Sequence, residues 1–316
     1  MPHHLRYQSQ TWATHHIVSR CLQGFSFLKP TKETNAVIRG MFCYSINTFE
    51  HSIEVHHYAF LSNHFHLLLS TEKTEHMSEF MGHFKSILAR ELGRIHDWYG
   101  TMWHKRFSNE EILDEDALED IFKYITQNSV KEGLVDHPSE WTGVHGYHQL
   151  VEGKALRGDR LDRSKLYRAR KRANAKGETV NEWDYTTEYQ AILTPPPMWR
   201  DDTEEEYRLR CKRLCDEAIE EALIKREKPS MGMHQVMAQD IYKARFTKRS
   251  PRPLCRTKCI ERMKEFKAAY YAFKAQFQEA SATLREAIAL GLENINVRFP
   301  EGGVPFFGGR SFESAT

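Results

Sequence analysis

The sequence has no apolar run approaching the roughly 18 residues of a membrane-spanning helix, so no such span is expected. Its six cysteines (Cys21, Cys43, Cys211, Cys215, Cys255 and Cys259) lack the dense spacing of a disulfide scaffold. The opening stretch MPHHLRYQSQTW carries no apolar core of a secretory leader. These absences lead us to expect a reduced, cytoplasmic protein. There is no glycine-rich phosphate loop, which argues against P-loop nucleotide chemistry, and no internal repeat. Nor is there a strong excess of charge, the formal net being +2. That balance hides an asymmetry. Residues 1–150 hold 13 Lys+Arg against 18 Asp+Glu, a net of −5, whereas the remainder holds 32 against 25, a net of +7. Sixteen of the 17 histidines also precede residue 150, so no histidine is informative alone and spacing must carry the inference.

Residues 54–70, EVHHYAFLSNHFHLLLS, alternate and are rich in aromatic and aliphatic side chains, which predicts strand. Ser62-Asn63 is a turn-like pair, so two short antiparallel strands are expected, over 55–61 and 64–69. A period of two puts His64 and His66 on one face and Phe65 in the core on the other. Residues 117–134, ALEDIFKYITQNSVKEGL, predict a helix on which Tyr124 and Asn128, four apart, leave from one face. Two imidazoles form half of a metal site, and an amide oxygen can complete it. A phenol beside them is a nucleophile for phosphodiester cleavage. An HxH pair alone is weak evidence. Histidine-triad hydrolases need a third histidine where Leu68 stands.

Around this pair the order is strand (13–28), helix (34–49), two strands, helix (76–99), strand (101–112) and helix. It predicts an α+β layer, an antiparallel sheet with helices on one face and the other face open to carry the histidines. Lys85, Arg90 and Arg94 form a basic face of the helix over 76–99, either solvated or phosphate-tracking. Residues 157–176 hold nine basic and two acidic residues, a flexible arm or a helix laid along phosphates.

His64-Phe65-His66 followed by Tyr124-Ile-Thr-Gln-Asn128 resembles the HUH (His, hydrophobic, His) single-tyrosine transposases, in particular the REP-associated tyrosine transposases related to the insertion-sequence 200/605 group. Residues 101–108, TMWHKRFS, resemble that family's Trp/Arg/aromatic strand, and residues 124–135, YITQNSVKEGLV, its YIxxNPVxxGLV segment. Ser129 stands where proline is usual, which leaves the helix free to run on. The resemblance implies a ferredoxin-like or RRM-like core. It implies Tyr124 as nucleophile, and His64, His66 and Asn128 as ligands of Mg²⁺ or Mn²⁺. The expected substrate is single-stranded DNA folded into palindromic hairpins. Lys85, Arg90, Arg94, Lys105, Arg106, Arg168, Arg170, Lys171 and Arg172 are candidates to hold its backbone. A nucleoid-associated prokaryotic protein is expected, monomer or homodimer. A domesticated hairpin-binding protein without transposition is the alternative. Relaxases place their tyrosine near the N-terminus, and replication initiators usually bring a helicase or origin-binding part; neither is apparent.

We therefore expect a catalytic domain over 1–150, a basic linker or arm over 151–197 and a helical accessory region over 198–316. Within the last, Thr203 and Glu206 suggest a capping box, and Phe266, Tyr270, Phe273, Phe277 and Leu284 form an apolar stripe. Cys211/Cys215 and Cys255/Cys259 are each one helical turn apart. They could form a four-sulfur zinc site, although small buried cysteines are the commoner case.

Overall fold

A computed structural model describes residues 5–245, 253–292, 295–303, 306–307 and 310–311. After β1 (Ala13–Arg20) the chain turns into α1 (Lys32–Thr48), capped by Thr31, whose hydroxyl accepts from the Thr34 N–H at 3.1 Å. β2 (Ile53–Phe60) and β3 (His64–Thr71) follow, closed at the expected turn where the Leu61 N–H donates to the His64 carbonyl at 2.9 Å. Then come α2 (Thr74–Ile95), β4 (Ser108–Ile112), α3 (Glu115–Thr126), α4 (Asn128–Lys131) and α5 (Tyr147–Glu152). The second half adds β5 (Leu156–Leu161), α6 (Arg163–Asn174), β6 (Thr186–Ala191), α7 (Glu204–Lys225), α8 (Gly232–Ala238), β7 (Cys255–Arg256) and α9 (Ile260–Ala289). Two-residue strands Phe306–Phe307 and Arg310–Ser311 pair in the tail, most of which lies outside the described residues.

The main sheet runs β2-β3-β1-β4-β7, antiparallel throughout except that β7 joins β4 in parallel. Its register sorts the side chains. His66 faces Val18 and Ala59, while Leu68 faces His16 and His57, so these residues share one surface. Ile17, Phe65, Leu67 and Leu69 point to the other. There α1 and α2 pack as expected, Phe84 meeting Phe65 at 5.7 Å and Phe42 at 5.2 Å between ring centroids. The histidine-bearing face is not left open, however. α3 lies across it with Leu118, Ile121, Phe122 and Ile125, and α7 covers α3 through Tyr207, Cys211, Leu214 and Cys215.

Three further expectations change, and one open alternative falls away. The strand over 101–112 shortens to β4, because Trp103 turns inward onto Phe65 (5.6 Å) and its indole N–H donates to the Lys85 carbonyl. The helix over 117–134 does not run on despite Ser129; it breaks at Gln127. There the Thr126 hydroxyl bonds back to the Phe122 carbonyl at 3.1 Å and meets His57 Nε2 at 2.9 Å, competing with the helical ladder. Residues 151–197 are not a linker. β5 and β6 pair, α6 sits between them in sequence, and β5 lies backbone-to-backbone on α1. A Cβ on Gly40 would stand 2.0 Å from the Asp159 carbonyl oxygen, so only glycine admits that approach. Finally, Cys211 and Cys215 are buried against α3 while Cys255 belongs to a separate cluster with Phe266 and Tyr270, so the two cysteine pairs do not converge.

Thr203 and Glu206 form the capping box of α7, and the α9 stripe is a packing face, Phe266 and Phe273 each 5.3 Å from Tyr7. Among the described residues no helix is long and apolar enough to cross a membrane.

Glu111 is buried on β4, facing away from α3, and accepts from the Ser9 N–H at 3.0 Å. Burial raises its carboxyl from 4.5 to about 7, so the folded state holds the proton more tightly than the unfolded chain. That contribution is complete below pH 4.5 and lost as pH rises to 7. Glu111→Gln, which keeps the acceptor without the charge, should therefore stabilise the protein by roughly 2–3 kcal/mol at pH 7.5 in urea unfolding and by nearly nothing at pH 4.5. An equal gain at both pH values would contradict this.

Candidate active site

The β1–β3–β4 register sets the floor of the site. His16 and Arg20 come from β1, His64 and His66 from β3, and Glu110 from β4, all on the face beneath α3. Asp114 starts α3 by accepting from the Ala117 N–H at 2.8 Å, with Glu115 and Asp116 favourable in its positive first turn. Phe122 seats the helix, 4.8 Å from His57 and 5.6 Å from Trp199. One half-turn on, Tyr124 lies edge-on to His66 at 5.4 Å and to His16 at 5.9 Å between ring centroids. His64 and His66 are themselves 5.0 Å apart.

The hydrogen bonds set the imidazole tautomers. His64 Nδ1 lies 2.6 Å from the Asn63 side-chain oxygen, which can only accept, so Nδ1 carries the proton and Nε2 the lone pair. His66 Nδ1 lies 2.9 Å from His16 Nε2. Burial and the Glu132 charge raise the pKa of the Tyr124 phenol, against opposing pulls from the nearby Asn128 amide and Arg20. Lys131 Nζ stands 4.7 Å from the Tyr124 ring centroid. Asn128 is 1% exposed, yet neither its amide oxygen nor its nitrogen meets hydrogen-bond geometry with any described group, although the amide lies close enough to influence the phenol. Among the described residues no three His, Cys, Asp or Glu side chains converge as a ready-made metal cage. A cation here would take two imidazole nitrogens and the unsatisfied Asn128 oxygen, with water or substrate oxygens completing its shell.

The cationic residues divide between two sides. Lys105 and Arg106 are exposed on the loop that bonds to β1 through the His104 N–H and the Arg20 carbonyl (2.9 Å), at the sheet end that carries His64. Lys85 is half-buried 5.3 Å from the Trp103 ring, and burial lowers its pKa to about 8. Arg94 and Arg168 meet with Arg163 and exposed Tyr167 around one open cleft on the α1/α2 side, away from Tyr124. Arg90, Lys171 and Arg172 are exposed nearby, and Arg170 pairs with Glu182. Residue spacing missed His16, Glu110, Arg20 and Lys131. The signal for two of them was present: a period of two along HHIVSR aligns His16 with Arg20.

Residues 13–128 match the family model described as "Transposase IS200 like". No curated protein matches the chain. Two solved structures are similar to it. One is a REP-associated tyrosine transposase bound to a REP hairpin, 19% identical, covering 48% of this chain and 86% of that one, TM-score 0.40. The other is a Deinococcus radiodurans R1 protein assigned as a transposase, 15% identical, covering 38% of this chain and 94% of that one, TM-score 0.28. Residues 13–128, rather more than a third of the chain, are thus similar to the IS200-like transposases.

The buried, unsatisfied Asn128 amide costs the ligand-free fold stability. Asn128→Leu, of similar size, should raise stability by about 1–3 kcal/mol in thermal unfolding without added metal. Destabilisation by this change would mean that the amide has a structural partner.

Proposed function

We propose that the protein is a transposase that cuts and rejoins single-stranded DNA through a covalent link to Tyr124, with His64, His66 and Asn128 holding Mg²⁺ or Mn²⁺. The observation that carries this reading is the packing of the Tyr124 ring against His66 and His16 beside the buried Asn128 amide. When bound, the cation withdraws charge from the scissile phosphate. The chain's own groups supply the rest. The Tyr124 oxygen attacks phosphorus, its bond to phosphorus forms as the P–O3′ bond breaks, and the phenolic proton ends on the released 3′-oxygen. The products are a 5′-phosphotyrosine and a free 3′-OH. One phosphodiester replaces another, so a second 3′-OH can reverse the step onto a new strand without ATP. The α3 lid limits water at the phenol, which favours rejoining over hydrolysis. Arg20 offers positive charge to the phenol, and Lys131 lies over the face of its ring.

The likeness of residues 64–66, 101–108 and 124–135 to REP-associated transposases supports a hairpin-forming palindrome as substrate. The cleft of Arg94, Arg163 and Arg168 could hold its stem by phosphate contacts, leaving the loop at 101–107 and Tyr124 to the unpaired strand. A hairpin-binding protein without chemistry is the second reading, but binding alone requires neither the phenol nor its histidine neighbours.

Incubating a hairpin-bearing single strand with protein and Mn²⁺ should give an adduct that survives SDS, absent in Tyr124→Phe and in His66→Ala, while both variants still bind the hairpin. An adduct with Tyr124→Phe would sink the assignment, and hairpin binding with no adduct in wild type would favour the second reading. Because the phenol pKa is raised above its usual 10, the single-turnover rate should climb from pH 7 to 9 without levelling. A plateau below pH 8 would contradict attack by this phenol.

A further inference from the structure

We propose that the C-terminal region completes the metal site from behind, through a relay Arg256–Glu110–His16–His66 that aims the His66 Nε2 lone pair at the cation. The inference rests on the metal-site reading above. β7 is only two residues long, yet it adds to the sheet edge alongside β4 and brings Arg256 onto Glu110, Nε to Oε2 2.7 Å. The same carboxylate oxygen lies 3.6 Å from His16 Nδ1, beyond hydrogen-bond length but close enough to bias where the proton sits, since both side chains are almost fully buried. His16 Nε2 then meets His66 Nδ1 at 2.9 Å, the two rings nearly parallel.

The order of protons follows from charge. A carboxylate beside Nδ1 favours the proton there, so His16 Nε2 must accept. His66 then donates through Nδ1 and keeps its lone pair on Nε2. Burial of Glu110 opposes its negative charge, but His16 and Arg256 outweigh that penalty and hold its pKa below the ordinary value. Arg256 thus keeps Glu110 ionised and oriented, although it touches neither phosphate nor metal. It is a positioning residue, supplied by a segment 190 positions beyond His66 in the sequence.

Glu110→Gln reverses the relay. The amide turns its oxygen to Arg256 and its NH₂ to His16 Nδ1, so His16 carries its proton on Nε2 and donates it to His66 Nδ1. The His66 proton moves to Nε2, the position the metal needs. Long-range ¹H–¹⁵N spectra of metal-free protein labelled at histidine, with His66 assigned by loss in His66→Ala, should give the Nδ1–H form in wild type and the Nε2–H form in Glu110→Gln. Calorimetric Mn²⁺ affinity should fall roughly 10–100-fold in Glu110→Gln and by a smaller factor in Arg256→Ala, with thermal unfolding little changed. An Nε2–H His66 in the wild type, or Glu110→Gln binding Mn²⁺ as tightly as wild type, would overturn the relay alone. Wild type that binds no Mn²⁺, whatever stands at 66, would remove the metal-site reading and this one together.

Discussion

The site depends on the register of three antiparallel strands. β1 sits between β3 and β4, and its pairing sets His16 opposite Glu110 on one side and diagonal to His66 on the other. Side chains alternate strictly along a strand, so a slip of one residue would send these groups into the α1/α2 core and bring Ile17 and Phe65 under the phenol. The apolar partners prevent it. Phe65, Leu67 and Ile17 belong to the face that α1 and α2 bury, and Leu68 and Ile112 to the face that α3 buries. The polar residues are therefore held in line by their apolar neighbours.

The helix above works differently. α3 is fixed by Phe122, Ile121 and Ile125, and Tyr124 rides between them half-buried. The break at Gln127 then starts a new turn at Asn128, so the amide is positioned by the break and not by an uninterrupted helix. That buried amide, short of hydrogen-bond geometry, is a stability cost that the fold carries beside Tyr124. α7 braces this arrangement from outside. Lys123 pairs with Glu221 at 2.8 Å, and Arg213 with Glu119 at 2.8 Å, at rims where such pairs add little stability but fix the helices' relative placement.

Much of the fold of the first half was legible in the sequence because its signals are local. The period of two through His64-Phe65-His66, the four-residue interval from Tyr124 to Asn128, the apolar repeat of α2 and the Thr203/Glu206 cap are each contained within a few residues. What was hidden is long-range. Glu110 was one acidic residue within an expected strand, and His16 was one of many histidines; only strand pairing makes them neighbours. β7 is too short to carry a period. Residues 151–197 read as a linker because nine basic residues between 157 and 176 mask the few apolar ones that anchor β5 and α6, Leu156, Leu166, Ala169 and Ala173. The glycine at position 40 that admits β5 onto α1 has no local signature. Thr126, which breaks the helix, acts through His57 on another strand.

The central claim is that two imidazoles from one strand and a phenol from a separate helix gather around a single cation. Pulsed EPR of Mn²⁺-loaded protein measures this directly. We predict couplings to two histidine nitrogens, one lost in His64→Ala and the other in His66→Ala, together with dipolar coupling to deuterons introduced on the Tyr124 ring. Nitrogen couplings that survive both substitutions, or a Tyr124 ring too distant to register, would contradict the account.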